Sequence, residues 1–160
     1  MIRGRLEADL DPLVEVLGTL RLPTPGASAR GRRDWLVAGE VELAWVFDQA
    51  PVTVVPTRRV VGHVEVHRPA RATAAAYVVD GGAPDDDLRE IGRLFVAPGP
   101  HHDGIARFLL RESVAHVRRL GASVVLDLRD NVSLTRSVVE RHGFVPAEAP
   151  GGVGSRYRLP

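Results

Sequence analysis

The chain has 160 residues, 44% of them hydrophobic and 26% charged, which suits one globular domain with a core of useful size. The net charge is +1 with histidine neutral, so no nucleic acid or other polyelectrolyte partner is implied. Lysine and cysteine are absent, which excludes a Schiff-base or P-loop lysine, a thiolate metal site and a cysteine acyl-enzyme.

The opening MIRGRLEADLDPLVEVL has no long apolar segment, and no window of the chain reaches the ~20 apolar residues of a membrane span. A cytoplasmic domain with no membrane partner is the expectation. Ile2 to Glu7 alternates apolar and polar as a strand does. Asp9 or Asp11 then caps a helix with Pro12 in its first turn, and Leu13, Val14, Val16, Leu17 and Leu20 supply its buried side. Pro23 to Arg33 reads as a polar, flexible loop in which Arg30, Arg32 and Arg33 form a small basic run.

Between Trp35 and Val66 the pattern gives two or three strands. Leu43 to Phe47 and Arg59 to Val66 are the clearer ones, and Pro51 and Pro56 bracket a short PVTVVP run suited to an edge or an inserted loop. On the strand from Val60 to His67, period two puts His63, Glu65 and His67 on one face, either a polar face near an acceptor site or a merely half-solvated one, and Val64 and Val66 on the other. His63 and His67 are then ~13 Å apart, too far to share one ion, so no metal site is expected. Pro69 to Asp87 reads as a connection containing the turn cluster GGAPDDD.

The stretch from Glu90 to Leu120 organises the rest. Ile91 to Val96 is a short apolar run, rich in branched and aromatic side chains, closed by Pro98-Gly99-Pro100: a strand. From Gly104 the period changes, and Ile105, Phe108, Leu109, Val114 and Val117 fit one stripe of a helix ended by Gly121. A helix start carries N–H groups with no intrahelical partner, and the helix dipole adds positive character, so an anion settles there. Gly104 and the small Ala106 let a ligand approach that backbone, which makes the turn a candidate cradle for phosphate or pyrophosphate. Ser123 to Leu128 follows as a strand, then Arg129-Asp130-Asn131, a helix from Ser133 to His142, Gly143-Phe144, and a closing strand in GSRYRLP. No dinucleotide-binding glycine signature, Walker lysine, nucleophile elbow or zincin motif occurs.

RLFVAP followed by HHDGIARFLL resembles the central motif of the Gcn5-related N-acetyltransferases, in which a strand ending in V-x-P leads to Q/R-x-x-G-x-G/A at a helix start. Gly104, Ile105 and Ala106 match the second half, whereas His101 stands at the Q/R position, His102 where a glycine is usual, and Asp103 adds a carboxylate. AWVFD and VVGHVEV are similar to that family's second and third strands. Asn131, the helix after it and Gly143-Phe144 look like its second cofactor motif, but the position of the frequent tyrosine acid is held by Val139.

The resemblance implies a single α/β domain over residues 1–160, with a mixed, mostly antiparallel twisted sheet of six or seven strands flanked by helices. It implies acetyl-CoA, or another acyl-CoA, as co-substrate, its pyrophosphate held by the turn His101, His102, Asp103, Gly104, Ile105 and Ala106. It places the pantetheine arm against Leu94, Phe95 and Val96 with Asn131 nearby, and makes Glu90 the base that deprotonates the amine of a small-molecule or peptide acceptor. Enzymes of this family are often homodimers. A non-catalytic acyl-CoA sensor is the alternative reading, on the strength of Val139, His101 and Asp103.

Overall fold

A computed structural model describes residues 1–20, 28–49, 59–77, 87–147 and 154–160. The run 51–56 and the turn at 81–86 lie outside the described residues. Seven strands form one sheet in the order β1-β2-β3-β4-β5-β7-β6. These are β1 (Ile2–Gly4), β2 (Leu43–Asp48), β3 (Val60–His67), β4 (Leu88–Val96), β5 (Ser123–Asp127), β6 (Val145–Pro146) and β7 (Arg156–Leu159). Every neighbouring pair is antiparallel except β4 and β5. A parallel pair needs a crossover, and α4 (His102–Arg119) supplies it.

One sheet face carries Val64, Val66, Ile91, Leu94, Val96, Val124, Leu126 and Tyr157, packed with Ile105, Leu109 and Val117 of α4 and with Val139 of α5 (Arg136–Arg141). The buried stripe of α4 is Ile105, Ala106, Leu109, Leu110, Ser113 and Val117. Phe108 and Val114, expected in it, are only half-buried. Gly121 and Gly143 take positive φ of 72° and 89° just past the two helices, where a side chain would be strained.

The opposite face is covered in two separate pieces. At one end α1 (Leu10–Thr19) and α2 (Ala29–Val37) bring Leu13, Leu17 and Leu36 onto Val46, Val60 and Phe95. At the other, α3 (Arg71–Ala75) brings Ala74, with Tyr77, onto Leu88 and Val125. Between the two apolar pieces this face is polar. Burial there therefore needs paired charges rather than hydrocarbon.

Several expectations are corrected. Arg30, Arg32 and Arg33 lie in α2, not in a loop; residues 21–27 of the expected loop lie outside the described residues. The sequence is too polar to signal this helix, but Ser28 Oγ caps it by accepting the Gly31 N–H at 3.1 Å. Arg33 ties it to α1 and the preceding turn through Asp11 (2.7 Å) and Glu7 (2.6 Å). The stretch after Pro69 contains α3. β4 begins at Leu88, α4 begins at His102, and α5 begins only at Arg136, after a Thr135 cap. The His63/Glu65 face is not half-solvated: both residues are at most 1% exposed, His63 between Arg5 and the Phe95 ring and Glu65 against Arg93.

Candidate active site

β4 is distorted where the polar strip crosses it. Glu65 of β3 pairs with Gly92 and His63 with Phe95, so β4 carries one extra residue and Arg93 takes φ 49°, a left-handed bulge. Buried contacts hold it. His63 Nδ1 lies 2.9 Å from the Arg93 carbonyl, Nε2 lies 3.1 Å from Arg5 Nη1, and the ring stacks on Phe95 at 5.2 Å. Burial, followed by the Arg5 and Arg93 charges, pushes the His63 pKa down to about 3. The neutral ring thus donates from Nδ1 to the carbonyl and accepts from Arg5 at Nε2. The Arg93 side chain pairs with Glu65 Oε1, donates to Ala38 O at 3.0 Å and lies 5.2 Å over the Trp35 ring.

Beyond the bulge the sheet opens. The β4–β5 ladder ends at Ile91 and Leu126, after which the strands part. Asn131, fully buried, spans the gap: its Oδ1 accepts the Leu94 N–H at 3.1 Å, and its Nδ2 donates to Ile91 O at 2.9 Å and to Asp127 O at 2.7 Å. Ser133 Oγ accepts the Val96 N–H at 2.9 Å. Side chains therefore span a parting that a closed ladder would otherwise fill. Asn131 spends its amide on the sheet itself, and Ser133 was not foreseen, since nothing local in the sequence pairs it with a residue 37 positions away.

At the end of β4 the turn reaches α4. His101 is the N-cap residue and makes no side-chain cap. The His102 N–H goes to Gly99 O at 3.2 Å and the Ile105 N–H to His101 O at 3.0 Å, while those of Asp103 and Gly104 have no partner among the described residues. A Cβ placed on Gly104 would meet nothing within 4 Å, so the space before these donors is open. Ile105 and Ala106 are buried against the sheet and fix the helix there. His102 lies 3.1 Å from Ser133 Oγ through Nε2 and 3.0 Å from Asp103 Oδ1 through Nδ1. One directional chain fits both contacts: Val96 N–H to Ser133, Ser133 O–H to His102 Nε2, and His102 Nδ1–H to Asp103. That last hydrogen bond holds the Asp103 pKa below its usual range and turns the carboxylate aside. A cavity of about 310 Å³ lies over the turn between Pro98 and His102 and also takes in Arg59, a cation that only the β2–β3 pairing brings there.

Glu90 is third in its strand rather than at its start, and it is 5% exposed. Its Oε1 accepts the Tyr77 hydroxyl at 2.9 Å and its Oε2 is 3.5 Å from His67 Nε2. Burial and the Glu90 charge raise the Tyr77 pKa far above its ordinary value, so the phenol stays a donor. Glu90 lines a second cavity, of about 510 Å³, with Glu65, His67, Arg93, Asp127 and Arg156 at its floor and Glu40, Arg68, Arg129 and Asp130 at its exposed rim. The expected site residues thus fall into two groups. Of the turn, His101, His102 and Ile105 line one cavity; Glu90 lines the other, and six residues of β4, rising ~20 Å, join them. Tyr77, just past α3, and Arg156, at the start of the closing strand, complete the Glu90 side, a meeting that sequence reading did not foresee. Among the described residues no group of three or more histidine, aspartate or glutamate side chains is placed to hold an ion.

No protein-family model matches this sequence, and no curated protein aligns with it. Solved structures do match. The GNAT family N-acetyltransferase YhbS of Escherichia coli, in complex with CoA, is similar over 99% of this chain and 79% of its own, at 20% identity and TM-score 0.62. A GNAT family acetyltransferase of Brucella melitensis, in complex with acetyl-CoA, matches over 99% and 94%, at 21% identity and TM-score 0.58. One from Staphylococcus aureus matches over 99% and 97%, at 12% identity and TM-score 0.63. With its single α/β layer of seven mixed strands opened after Ile91, this chain has the fold of the Gcn5-related N-acetyltransferases.

Proposed function

We propose that the protein transfers an acetyl group from acetyl-CoA to a primary amine by direct attack in a ternary complex. The observation that carries this reading is the joining, by one continuous strand, of an open helix N-terminus with two uncommitted N–H groups to a parted strand pair and a buried carboxylate. The turn suits a diphosphate: donors point into open space at Gly104, Arg59 adds a cation, and Asp103 is drawn off by His102. The structural neighbours bound to CoA and acetyl-CoA support the choice of anion.

Each residue then has a task. The Asp103 and Gly104 amides hold the pyrophosphate. The edge of β4 from Leu94 to Val96 receives the pantetheine arm, and the Val96 N–H exchanges Ser133 for a ligand oxygen, which also polarises the thioester carbonyl, while Asn131 keeps the Leu94 N–H. Phe95 faces the other way, onto His63, and fixes the strand. Glu90 Oε2 takes the ammonium proton, because an amine attacks only with its lone pair free, and His67, a quarter exposed, passes it toward solvent. Acetyl-CoA supplies the activated acyl group. The fully buried Val139 offers no proton, but a thiol has a pKa near ~8.5 and leaves as thiolate.

Val139 also favours a second reading, a domain that binds acyl-CoA with little or no turnover. Calorimetric titration with acetyl-CoA and release of free CoA over a panel of primary amines separate the two. Binding with release is the expected result; binding alone selects the second reading, and no binding overturns both.

A further inference from the structure

The floor of the 510 Å³ cavity holds two groups of opposite sign, each with a buried atom that lacks a hydrogen-bond partner. Glu65 is 1% exposed; its Oε1 is taken by Arg93, and its Oε2 is buried without a hydrogen-bond partner. A buried carboxylate oxygen in that condition is costly unless a ligand supplies a donor. The Arg156 side chain, at the far end of the floor, makes no hydrogen bond to a described residue. Its one ion pair is with Asp127 Oδ2 at 3.6 Å, and its Nε is buried without a partner. Asp127 is already engaged by Arg129, with Nη2 at 2.5 Å and Nε at 3.0 Å from Oδ2. Two guanidiniums thus share one buried carboxylate.

The registers put these groups on one line. Glu65 pairs with Gly92 across β3 and β4, and, one residue past the end of the β4–β5 ladder, Asp127 pairs with Arg156 across β5 and β7. Gly92 leaves the middle low: a Cβ there would meet the His67 ring at 3.1 Å. From β3 to β7 is three strand spacings, ~14 Å between backbones, narrowed by the reach of the side chains. At the β3–β4 end of the floor Glu65 and Glu90 outnumber Arg93; at the β7 end Arg156 stands beside Asp127, whose carboxylate Arg129 already engages from the rim. The rim charges Glu40, Arg68, Arg129 and Asp130 are exposed, where water and salt screen them.

Resting on the reading of this cavity as the acceptor site, we infer that the acceptor is a zwitterion: a small primary amine that also carries a carboxylate several bonds away. Its ammonium sits between Glu65 and Glu90, beside the parted strands, and its carboxylate lies on Arg156, a guanidinium with donors to give in pairs. The cavity volume is that of a small-molecule site. A diamine would face Arg156 with like charge, and a simple alkylamine would leave it unmatched.

The test uses the full chain and four probes of one length: 5-aminopentanoate, its methyl ester, pentylamine and 1,5-diaminopentane. Binding is followed by calorimetry with and without CoA, and acetylation by CoA release. 5-Aminopentanoate, or a neighbour in the ω-amino acid series, is expected to bind and react at least tenfold better than the other three. Arg156→Gln is expected to cut the ratio of ω-amino acid to pentylamine by about tenfold, and Arg156→Lys to restore part of it. Equal or better handling of the ester, pentylamine or the diamine across the series overturns the inference while leaving acetyl transfer intact. If acetyl-CoA is neither bound nor consumed, acetyl transfer fails, and zwitterion binding measured without it still decides this inference. Absence of that binding in both conditions overturns it.

Discussion

At the scale of single residues the chemistry is concentrated in Glu90 and the groups that touch it. Gln at position 90 keeps the hydrogen bond from Tyr77, so the fold is undisturbed, but it cannot accept a proton. Glu90→Gln is therefore expected to lower kcat/KM for any reactive amine by about a hundredfold or more, with Tm nearly unchanged, as read by CoA release and a thermal melt. His63 makes the opposite kind of contribution, to stability alone. Its folded pKa of about 3 lies below the ordinary value of 6.5. Between those two values the unfolded chain binds a proton that the native state refuses. The stability that His63 provides is thus fully present above pH 6.5 and lost as pH falls toward 3. Denaturant melts are expected to show stability falling by up to about 1.4 kcal/mol per pH unit below that onset, before carboxylates titrate, and His63→Gln is expected to flatten that slope.

At the scale of elements, the start of α4 and the parted strands carry the cofactor hypothesis. A side chain at position 104 meets nothing in the protein, and Leu is a far better helix former than Gly. Gly104→Leu is therefore expected to hold or raise Tm while weakening acetyl-CoA at least tenfold in calorimetry, since the new side chain stands before the free amides. Ser133 acts in the other direction. It occupies the Val96 amide in the free protein, so a pantetheine arm must displace it. Removing one hydrogen bond of ~0.5–1.5 kcal/mol in Ser133→Ala is expected to tighten acetyl-CoA binding about two- to tenfold. A weakening would show that Ser133 serves the ligand rather than competing with it. Asn131 is different, because its three hydrogen bonds satisfy buried backbone groups on both strands. It sets the width of the gap.

At the scale of the whole molecule, a ligand that binds only the folded state stabilises it by mass action. Acetyl-CoA at a hundred times its Kd contributes ~2.7 kcal/mol, which raises Tm by several degrees in a domain of this size. Acetate or ADP at the same concentration is expected to give a smaller shift, as the turn and the β4 edge are then only partly used. Two-piece packing of one sheet face explains how such a molecule keeps a wet, charged cavity beside a dry core: α1 and α2 seal one end, α3 the other, and neither reaches the middle. Among the described residues no helix is long and apolar enough to cross a membrane.

The order strand, turn, helix around Gly104 and the glycine that ends that helix were legible in the sequence, while the six or seven strands and the loss of a phenol at Val139 came from the family resemblance. The first two depend on local period and turn chemistry, which neighbours along the chain determine. The helix α2 was not legible, because its own pattern is polar and what holds it is tertiary: Leu36 buried on the sheet, with Arg33 reaching back to Glu7 and Asp11. The meeting of Glu90 with Tyr77 and His67, the clasp of Asn131 and Ser133 on β4, and the line from Glu65 to Arg156 were decided by tertiary structure alone. They follow from strand register and from where two parallel strands stop pairing, and register is a property of distant segments that no stretch of sequence contains by itself.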